Sequence, residues 1–309
     1  MNEFEQVPET YEAENEEFNE LYVLAWLLII QALMKLVQLP QNLTTTQFLQ
    51  LERQVNTEIR AVFTNLERQA VNMATDQVTE AYVEGVAYTR TAMTQESKLV
   101  EVRGTDLNDS HKRRLQEMID QTQADLLKAT GNTHKNVKAL VRKVVSKEMA
   151  TMGRGGQIGK KSNMAKRIEQ QLRQQFLDNG IEDADVAIID RANRKWKLKT
   201  YSSMVARTKM NDAYISAIRE ESLQDGHDLA IISTKPDTHD ECLHYEGMII
   251  SLNGLTSGFL TYEEIKKSKK CFHPNCGHFV RAVGGMDWIP ANLKKIHEKQ
   301  MRLYRQTSN

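Results

Sequence analysis

The stretch Cys271-Phe272-His273-Pro274-Asn275-Cys276-Gly277-His278 brings two thiols and two imidazoles into one short segment near the end of the chain. A second cluster, His239-Asp240-Glu241-Cys242-Leu243-His244, lies about thirty residues earlier. The two stretches hold all 3 cysteines and half of the 8 histidines. Thiolate and imidazole are the ligands that Zn²⁺ prefers, and a closed tetrahedral site needs four of them. We therefore predict that the two clusters close on one zinc ion and staple a small domain.

The sequence does not decide which four of these residues would bind the ion. Cys242 with one upstream histidine and Cys276 with one downstream histidine form the preferred set, and the remaining cysteine is a further candidate. The turn at Pro274-Asn275 lets side chains two positions apart face one ion. In the alternative, the histidines only form hydrogen bonds within loops and the cysteines pack as apolar side chains. The candidate ligands are His239, Cys242, His244, Cys271, His273, Cys276 and His278.

We predict a structural zinc ion and no catalytic activity. A catalytic site keeps an open water position and usually a nearby carboxylate. Because Asp240 and Glu241 lie beside Cys242, the alternative is a zinc-dependent nuclease or another nucleic-acid hydrolase. Thiolate-rich ligation favours the closed, structural site, and the signature of zinc deaminases is absent.

The composition favours long helices. Lys and Arg balance Asp and Glu at 41 each, 40% of the residues are hydrophobic and only 6% are aromatic. Few glycines and prolines add to this pattern, which is not that of an all-β protein. No cysteine occurs in the first 241 residues, so we expect a reducing cytoplasm rather than a disulfide framework.

We predict a mainly α fold with four regions. Residues 1–20 are acidic and form a disordered tail. Residues 21–180 form an extended series of amphipathic helices, with a helix break at Gly131-Asn132 and a further helix over residues 163–177. One of these helices is capped by a threonine at 44–46 and another by Asp109 or Ser110. The first of the two carries an apolar stripe at Leu51, Val55, Ile59, Val62, Leu66, Ala70 and Met73. Residues 181–290 form a small α+β domain that contains both Cys/His clusters, with strands at 185–190, 196–201, 229–233 and 248–252 and a helix over 202–222. Residues 291–309 form a basic helix or tail.

The most apolar run, Leu21 to Leu39, predicts a buried helix rather than a membrane span. Gln31, Lys35 and Gln38 interrupt the run, and the segment before it is acidic. A membrane helix needs about 20 apolar residues with almost no charge. No membrane partner is therefore expected.

Positive charge is concentrated between residues 135 and 173. Clustered Lys and Arg favour contact with nucleic-acid phosphates, or with an acidic protein surface. No aromatic residues are interleaved for base stacking, so any nucleic-acid contact is expected to be non-specific. The candidate contact residues are Lys135, Lys138, Arg142, Lys143, Lys147, Arg154, Lys160 and Lys161.

Five segments occur in an order that resembles the minor capsid proteins of tailed bacteriophages, the head-morphogenesis group that includes the Mu F-like proteins. The resemblance covers about residues 180–285. In two positions the sequence departs from the pattern: Tyr245 stands where many relatives have a second cysteine, and Gly277 stands where many have arginine. The segments are Asp190-Arg-Ala-Asn-Arg-Lys-Trp196, Tyr201-Ser-Ser-Met-Val-Ala-Arg-Thr208, Gly226-His-Asp-Leu-Ala-Ile-Ile-Ser233, Cys242 followed by Tyr245-Glu-Gly247, and His273-Pro-Asn-Cys276-Gly-His278.

The resemblance implies a virion protein with no established catalytic activity, present in few copies at the portal vertex inside the head. It implies a role in procapsid assembly and in DNA packaging or ejection. The implied partner is the portal protein, with the scaffold or major capsid protein as further candidates and non-specific contact with packaged DNA. The protein is then found in the host cytoplasm during assembly and in the virion afterwards.

Overall fold

The computed structural model of the protein describes residues 10–36, 44–94, 102–103, 106–153, 186–190, 193–235 and 238–307. The chain is mainly helical, with a small strand-containing C-terminal part, which confirms the predicted fold class. The helices are α1 (Thr10–Met34), α2 (Thr45–Thr94), α3 (Asp109–Gly153), α4 (Leu198–Gln224), α5 (Tyr262–Ser268) and α6 (Ala291–Thr307). The strands are β1 (Val186–Ile189), β2 (Lys195–Lys197), β3 (Leu229–Ile232), β4 (Ile249–Ser251) and β5 (Val280–Val283).

The chain divides into two compact units. We call the unit formed by Asn15–Met73 and Gln123–Ser203 the helical unit. The other unit, formed by Met1–Glu14, Ala74–Thr122 and Met204–Asn309, is called the sheet unit because it contains β3, β4 and β5.

The helical unit is built on helix faces with apolar residues three and four positions apart. On α2 the buried positions Val55, Ile59, Leu66 and Ala70 belong to the stripe predicted from the sequence. Such a stripe is hidden from water when it packs on the stripes of neighbouring helices. Partner faces are supplied by Phe18, Tyr22, Ile29 and Leu33 of α1 and by Leu126, Val137, Val141 and Val144 of α3.

Helix α2 starts with a reciprocal cap, as the threonines at 44–46 predict. The Gln47 backbone N–H donates to Thr44 Oγ1 at 3.3 Å, and the Thr44 backbone N–H donates to Gln47 Oε1 at 2.8 Å. The two bonds satisfy backbone donors that have no partner inside the helix.

Helix α3 continues through Gly131-Asn132, so the predicted break is wrong. A glycine inside a helix costs about 1 kcal/mol relative to alanine. On either side of it the buried residues Leu126, Thr130, Thr133 and Val137 keep one continuous face. Burial of that face outweighs the local cost.

Helix α1 begins at Thr10, inside the acidic segment expected to be a tail, and ends at Met34. Negatively charged glutamates are stabilising near the N-terminus of a helix, where the helix dipole is positive. They therefore favour a helix that begins inside the acidic segment. Among the described residues, one segment, Glu16–Met34, is long and apolar enough to cross a membrane, with a mean hydropathy of 1.4. Core helices of soluble proteins and signal sequences satisfy the same criterion.

In the sheet unit, β3 lies between β4 and β5 and pairs antiparallel with both. Ala230 and Ile232 of β3 face the hydrophobic core that contains Tyr214 and Ile218 of α4. All three cysteines belong to this same core. Helix α5 precedes the second Cys/His cluster in the chain and strand β5 follows it. The sequence analysis predicted neither element.

The hairpin β1–β2 lies in the helical unit and is shorter than predicted. Asp190 Oδ2 accepts hydrogen bonds from Trp196 Nε1 at 3.1 Å and from Arg194 Nε at 2.7 Å, which closes the turn. The chain becomes helical at Leu198, which is fully buried, so the strand expected up to Tyr201 ends early.

Candidate metal centre

A short 3-10 helix, Glu241–His244, positions the first ligand. Asp240 caps this helix, because its Oδ1 atom accepts a hydrogen bond from the Cys242 backbone N–H at 3.0 Å. The thiol of Cys242 is directed into the core, where the residue is only 1% exposed.

A tight loop after α5 positions the other ligands. Phe272 and Asn275 adopt the left-handed backbone conformation, with φ values of 56° and 64°. The Cys276 backbone N–H donates to the His273 carbonyl at 2.9 Å, which forms the turn predicted at Pro274-Asn275. The Asn275 backbone N–H donates to Thr208 Oγ1 of α4 at 3.1 Å, so the loop is anchored on that helix.

Four buried side chains, Cys242, Cys271, Cys276 and His278, bring their ligand atoms within 4.8 Å of one another. Cys242 Sγ lies 3.7 Å from Cys276 Sγ, and Cys276 Sγ lies 3.4 Å from His278 Nδ1. In a tetrahedron with zinc bonds of about 2.3 Å to sulfur and about 2.0 Å to nitrogen, these edges are about 3.8 Å and 3.5 Å. The donor set therefore fits a tetrahedral ion.

A carboxylate fixes the orientation of His278. Glu246 Oε1 lies 2.8 Å from His278 Nε2, so Nε2–H donates to it and the lone pair of Nδ1 is directed at the thiols. The same oxygen accepts from the Lys235 backbone N–H at 3.0 Å and from Thr238 Oγ1 at 2.6 Å. A carboxylate behind a histidine is the usual outer support of a metal ligand.

Asn211 of α4 holds the backbone of the same loop. Its Nδ2 atom donates to the carbonyl of Cys276 at 3.1 Å and to the carbonyl of His278 at 3.0 Å. Neither Asn211 nor Glu246 was singled out from the sequence. Glu246 lies in the Tyr245-Glu246-Gly247 segment of the family pattern, which is the one signal that points to it.

The pKa shifts within the ligand group place the negative charge on Cys276 rather than on all three thiols. Hydrogen bonds from the thiols of Cys242 and Cys271 lower the pKa of Cys276. The contacts with Cys242 and Cys276, together with burial, raise the pKa of Cys271. Burial alone would lower the pKa of His278, but the hydrogen bonds with Cys276 and Glu246 raise it. A bound metal ion would deprotonate all three thiols and keep the imidazole neutral.

The family model for phage minor capsid protein 2 matches residues 8–308. The chain belongs to this family. The match confirms the resemblance to phage minor capsid proteins and extends it from about residues 180–285 to nearly the whole chain. No curated protein and no solved structure matches the chain. Family membership supports a structural role in the phage capsid and a place in the virion.

In this minor capsid protein, Cys271 rather than an upstream histidine lies with Cys242, Cys276 and His278. His239 and His244 are exposed and do not join the four-residue group among the described residues. With about three residues per turn, the 3-10 helix cannot direct Cys242 and His244 to the same side. Tyr245, at the position where many relatives have cysteine, is buried in the core instead.

His273 lies beside the buried group rather than in it. Its Nε2 atom is 3.3 Å from Cys242 Sγ and 3.0 Å from Asp240 Oδ2. Asp240, Cys242 and His273 form a second group of possible ligands, which is partly open to solvent.

The predicted basic contact residues lie on α3 as far as the structure describes them. Lys135, Arg142 and Lys143 are exposed, and Lys138 is half-buried. Lys147 belongs to α3, but its side chain lies outside the described part, as do Arg154, Lys160 and Lys161 and the helix predicted at 163–177.

Helix α2 places further basic residues beside those of α3, which the sequence did not indicate. Arg53 and Arg60 of α2 line a cleft of about 380 Å³ together with Lys138 and Arg142 of α3. Within the described residues none of the four forms an ion pair. Glu52 also lines the cleft, so one carboxylate lies among the four cations. Burial and the charges of Lys138 and Arg60 lower the pKa of the neighbouring His134.

Proposed function

We propose that this chain is a structural minor capsid protein that docks on the portal vertex inside the head, and that a structural zinc ion holds its sheet unit together. The buried Cys242–Cys271–Cys276–His278 group is the observation that carries the structural role. All four residues are at most 4% exposed. A site with four protein ligands and no access for a substrate supplies rigidity rather than turnover.

The zinc proposal is tested by metal analysis of the purified chain and by thermal unfolding with and without a strong chelator. Zinc is expected in the protein, and its removal is expected to unfold the sheet unit, because the binding free energy of a structural metal is part of the folding free energy. Cys276→Ala should behave like chelated protein, and His239→Ala, an exposed histidine outside the group, should behave like the unchanged chain. A melting curve that does not respond to the chelator would contradict the proposal.

The alternative, a zinc-dependent nuclease or hydrolase, makes a different prediction. Zinc-loaded protein would then cleave DNA or RNA, and Cys276→Ala would abolish the cleavage. We expect no cleavage above a metal-free control. Cleavage that co-purifies with the protein and disappears in this variant would favour the enzyme.

Docking on another virion protein is supported by an apolar face of α1. Helix α1 is apolar on two sides: one side packs in the helical unit, and the other is open to solvent. Contiguous exposed apolar surface of this kind usually marks a contact with a partner. The exposed residues are Val23, Leu24, Leu27, Leu28 and Met34, from 36% exposed at Met34 to 58% at Leu27.

We propose the portal protein as the partner of this face. The exposed Glu16, Glu17 and Glu20 at one end of it match a partner surface that is apolar with a basic edge. The scaffold or major capsid protein is the alternative partner of the same chemistry.

Co-expression with the portal protein followed by co-sedimentation tests this docking. The double substitution Leu24→Ser with Leu27→Ser is expected to abolish co-sedimentation. Leu127→Ser is the matched control, because Leu127 is a similarly exposed leucine on α3. Co-sedimentation that survives the double substitution would refute docking through α1, and binding to lipid vesicles in its place would indicate a membrane contact.

The basic residues of α3 support non-specific contact with packaged DNA. A contact with phosphates weakens as salt rises, and each lost cation lowers the slope of that dependence by about one. Lys138→Ala with Arg142→Ala is therefore expected to reduce both duplex affinity at low salt and the salt slope. Equal binding of the variant and the unchanged chain at all salt concentrations would count against a DNA contact at these residues.

A further inference from the structure

Asp240, Cys242 and His273 form a second group of possible metal ligands, which shares Cys242 with the buried group. Hydrophobic packing does not explain why these polar atoms lie together. His273 Nε2 is 3.3 Å from Cys242 Sγ and 3.0 Å from Asp240 Oδ2, and the three donor atoms lie within 4.8 Å of one another. The side chains of His273 and Asp240 are 28% and 55% exposed. An ion could therefore reach this position from solvent without passing through the core.

Backbone contacts orient both exposed side chains. His273 Nδ1 lies 2.9 Å from the carbonyl of Pro274, which can only accept, so Nδ1 carries a hydrogen. In the neutral imidazole the lone pair is then on Nε2, the atom that faces Cys242. Asp240 uses Oδ1 to cap the 3-10 helix, which leaves Oδ2 directed at the same point. Such outer contacts are how proteins orient metal ligands.

We infer that Asp240 and His273 form a second zinc site that shares the Cys242 thiolate with the buried Cys242–Cys271–Cys276–His278 site. This inference rests on the structural zinc proposed above. A thiolate has several lone pairs, so one sulfur can bridge two ions. Three protein ligands leave the fourth position of the outer ion to water, so the cleavage assay described above must also be run on the chain loaded with both ions.

The distances and charges agree with such a pair of ions. In tetrahedral zinc, the distance between two ligand atoms is about 3.5 Å for sulfur and nitrogen and about 3.4 Å for nitrogen and oxygen. The observed 3.3 Å and 3.0 Å become these values when the two exposed side chains move by a few tenths of an ångström. The ligands of the two ions, three thiolates and one carboxylate, carry four negative charges, which equals the charge of two Zn²⁺ ions. With the Glu246 carboxylate behind His278 included, two ions leave one net negative charge and a single ion leaves three.

The competing explanation is that His273 carries a hydrogen on both ring nitrogens and only donates its Nε2 hydrogen to the Cys242 thiolate and to Asp240. Metal stoichiometry separates the two explanations. The full chain, saturated with Zn²⁺ and freed of unbound metal by desalting, is expected to retain about two equivalents. His273→Ala and Asp240→Asn are expected to retain about one; the asparagine keeps an oxygen that can cap the 3-10 helix but loses the charge.

His244→Ala is the matched control, since His244 lies on the same 3-10 helix, is exposed and belongs to neither ligand group. It should keep both equivalents. Replacement of zinc by Co²⁺ gives a second signal: the second equivalent should increase the sulfur-to-cobalt charge-transfer absorption, because Cys242 binds both ions. Ions held only by scattered surface carboxylates would not change that absorption.

One equivalent in the unchanged chain would refute the shared-thiolate site while leaving the structural zinc intact. No metal at all would refute both. A second cobalt equivalent without added charge-transfer absorption, or a His273→Ala protein that still retains two equivalents, would also overturn the inference.

Discussion

Replacing Glu246 by glutamine tests whether the buried cluster is a metal site without removing any ligand. Glu246 Oε1 accepts hydrogen bonds from His278 Nε2, Thr238 Oγ1 and the Lys235 backbone N–H. A glutamine oxygen can still accept these bonds, but it lacks the charge that strengthens His278 as a ligand. Loss of such an outer carboxylate lowers metal affinity by about 10–100-fold.

A weaker affinity for zinc lowers the free energy of unfolding, because zinc binds the folded chain and not the unfolded one. At a fixed free-zinc concentration well above the dissociation constant, a 10–100-fold weaker site removes about 1.4–2.7 kcal/mol from the free energy of unfolding. In excess chelator the same substitution should cost much less, because the acceptor oxygen remains. The expected result is a lower melting temperature for Glu246→Gln in zinc buffer and nearly equal temperatures in chelator.

Chemical denaturation in zinc-buffered solution, with competition against a chelating dye, measures both quantities. Glu241→Gln is the matched control, since Glu241 lies beside Cys242 but is exposed and belongs to neither ligand group. Equal destabilisation of Glu246→Gln with and without zinc would show that Glu246 supports only the loop and that His278 is no ligand.

Other consequences of the structure can be checked separately. A Cβ at Gly85 of α2 would lie 2.6 Å from the Tyr214 carbonyl oxygen of α4, so Gly85→Ala should lower the unfolding free energy by about 1–3 kcal/mol. Gly131→Ala, where a Cβ meets nothing within 4 Å, should instead raise it by up to about 1 kcal/mol, and urea unfolding compares the two. Burial alone would raise the pKa of Asp228, but hydrogen bonds from Ser251 Oγ and the backbone N–H groups of Thr256 and Asn253 lower it. Its stabilisation is therefore complete above the unfolded pKa of about 4 and is lost as pH falls through the lower folded value, so Asp228→Asn should flatten the acid side of the stability profile. An unchanged acid side in this variant would show that Asp228 does not control it.

Much of the fold follows from local sequence patterns. The stripe of Val55, Ile59 and Leu66 predicts α2, and the threonine at position 44 predicts its start. The cap residues at 109–110 predict the start of α3. These patterns are readable because residues three or four apart on a helix share a face, whatever lies against it. The Cys/His clusters and the ordered motifs likewise point to a metal-binding module and to the phage minor capsid proteins.

Other features were decided by contacts between distant parts of the chain. The helix through Gly131 exists because its flanking residues stay buried on one face, which a local helix-break signal does not report. The cleft that joins Arg53 and Arg60 to Lys138 and Arg142 depends on how α2 packs against α3.

The sequence alone determined which residue types gather at the candidate metal centre, but only the tertiary structure decided which of them face one another. Cys271, rather than His239 or His244, joins Cys242, and Glu246 supports His278 across the loop. Sequence spacing fixes how far apart ligands can be. Their direction is set by the positive-φ turns at Phe272 and Asn275, the bonds of that loop to α4, and the cap of the 3-10 helix.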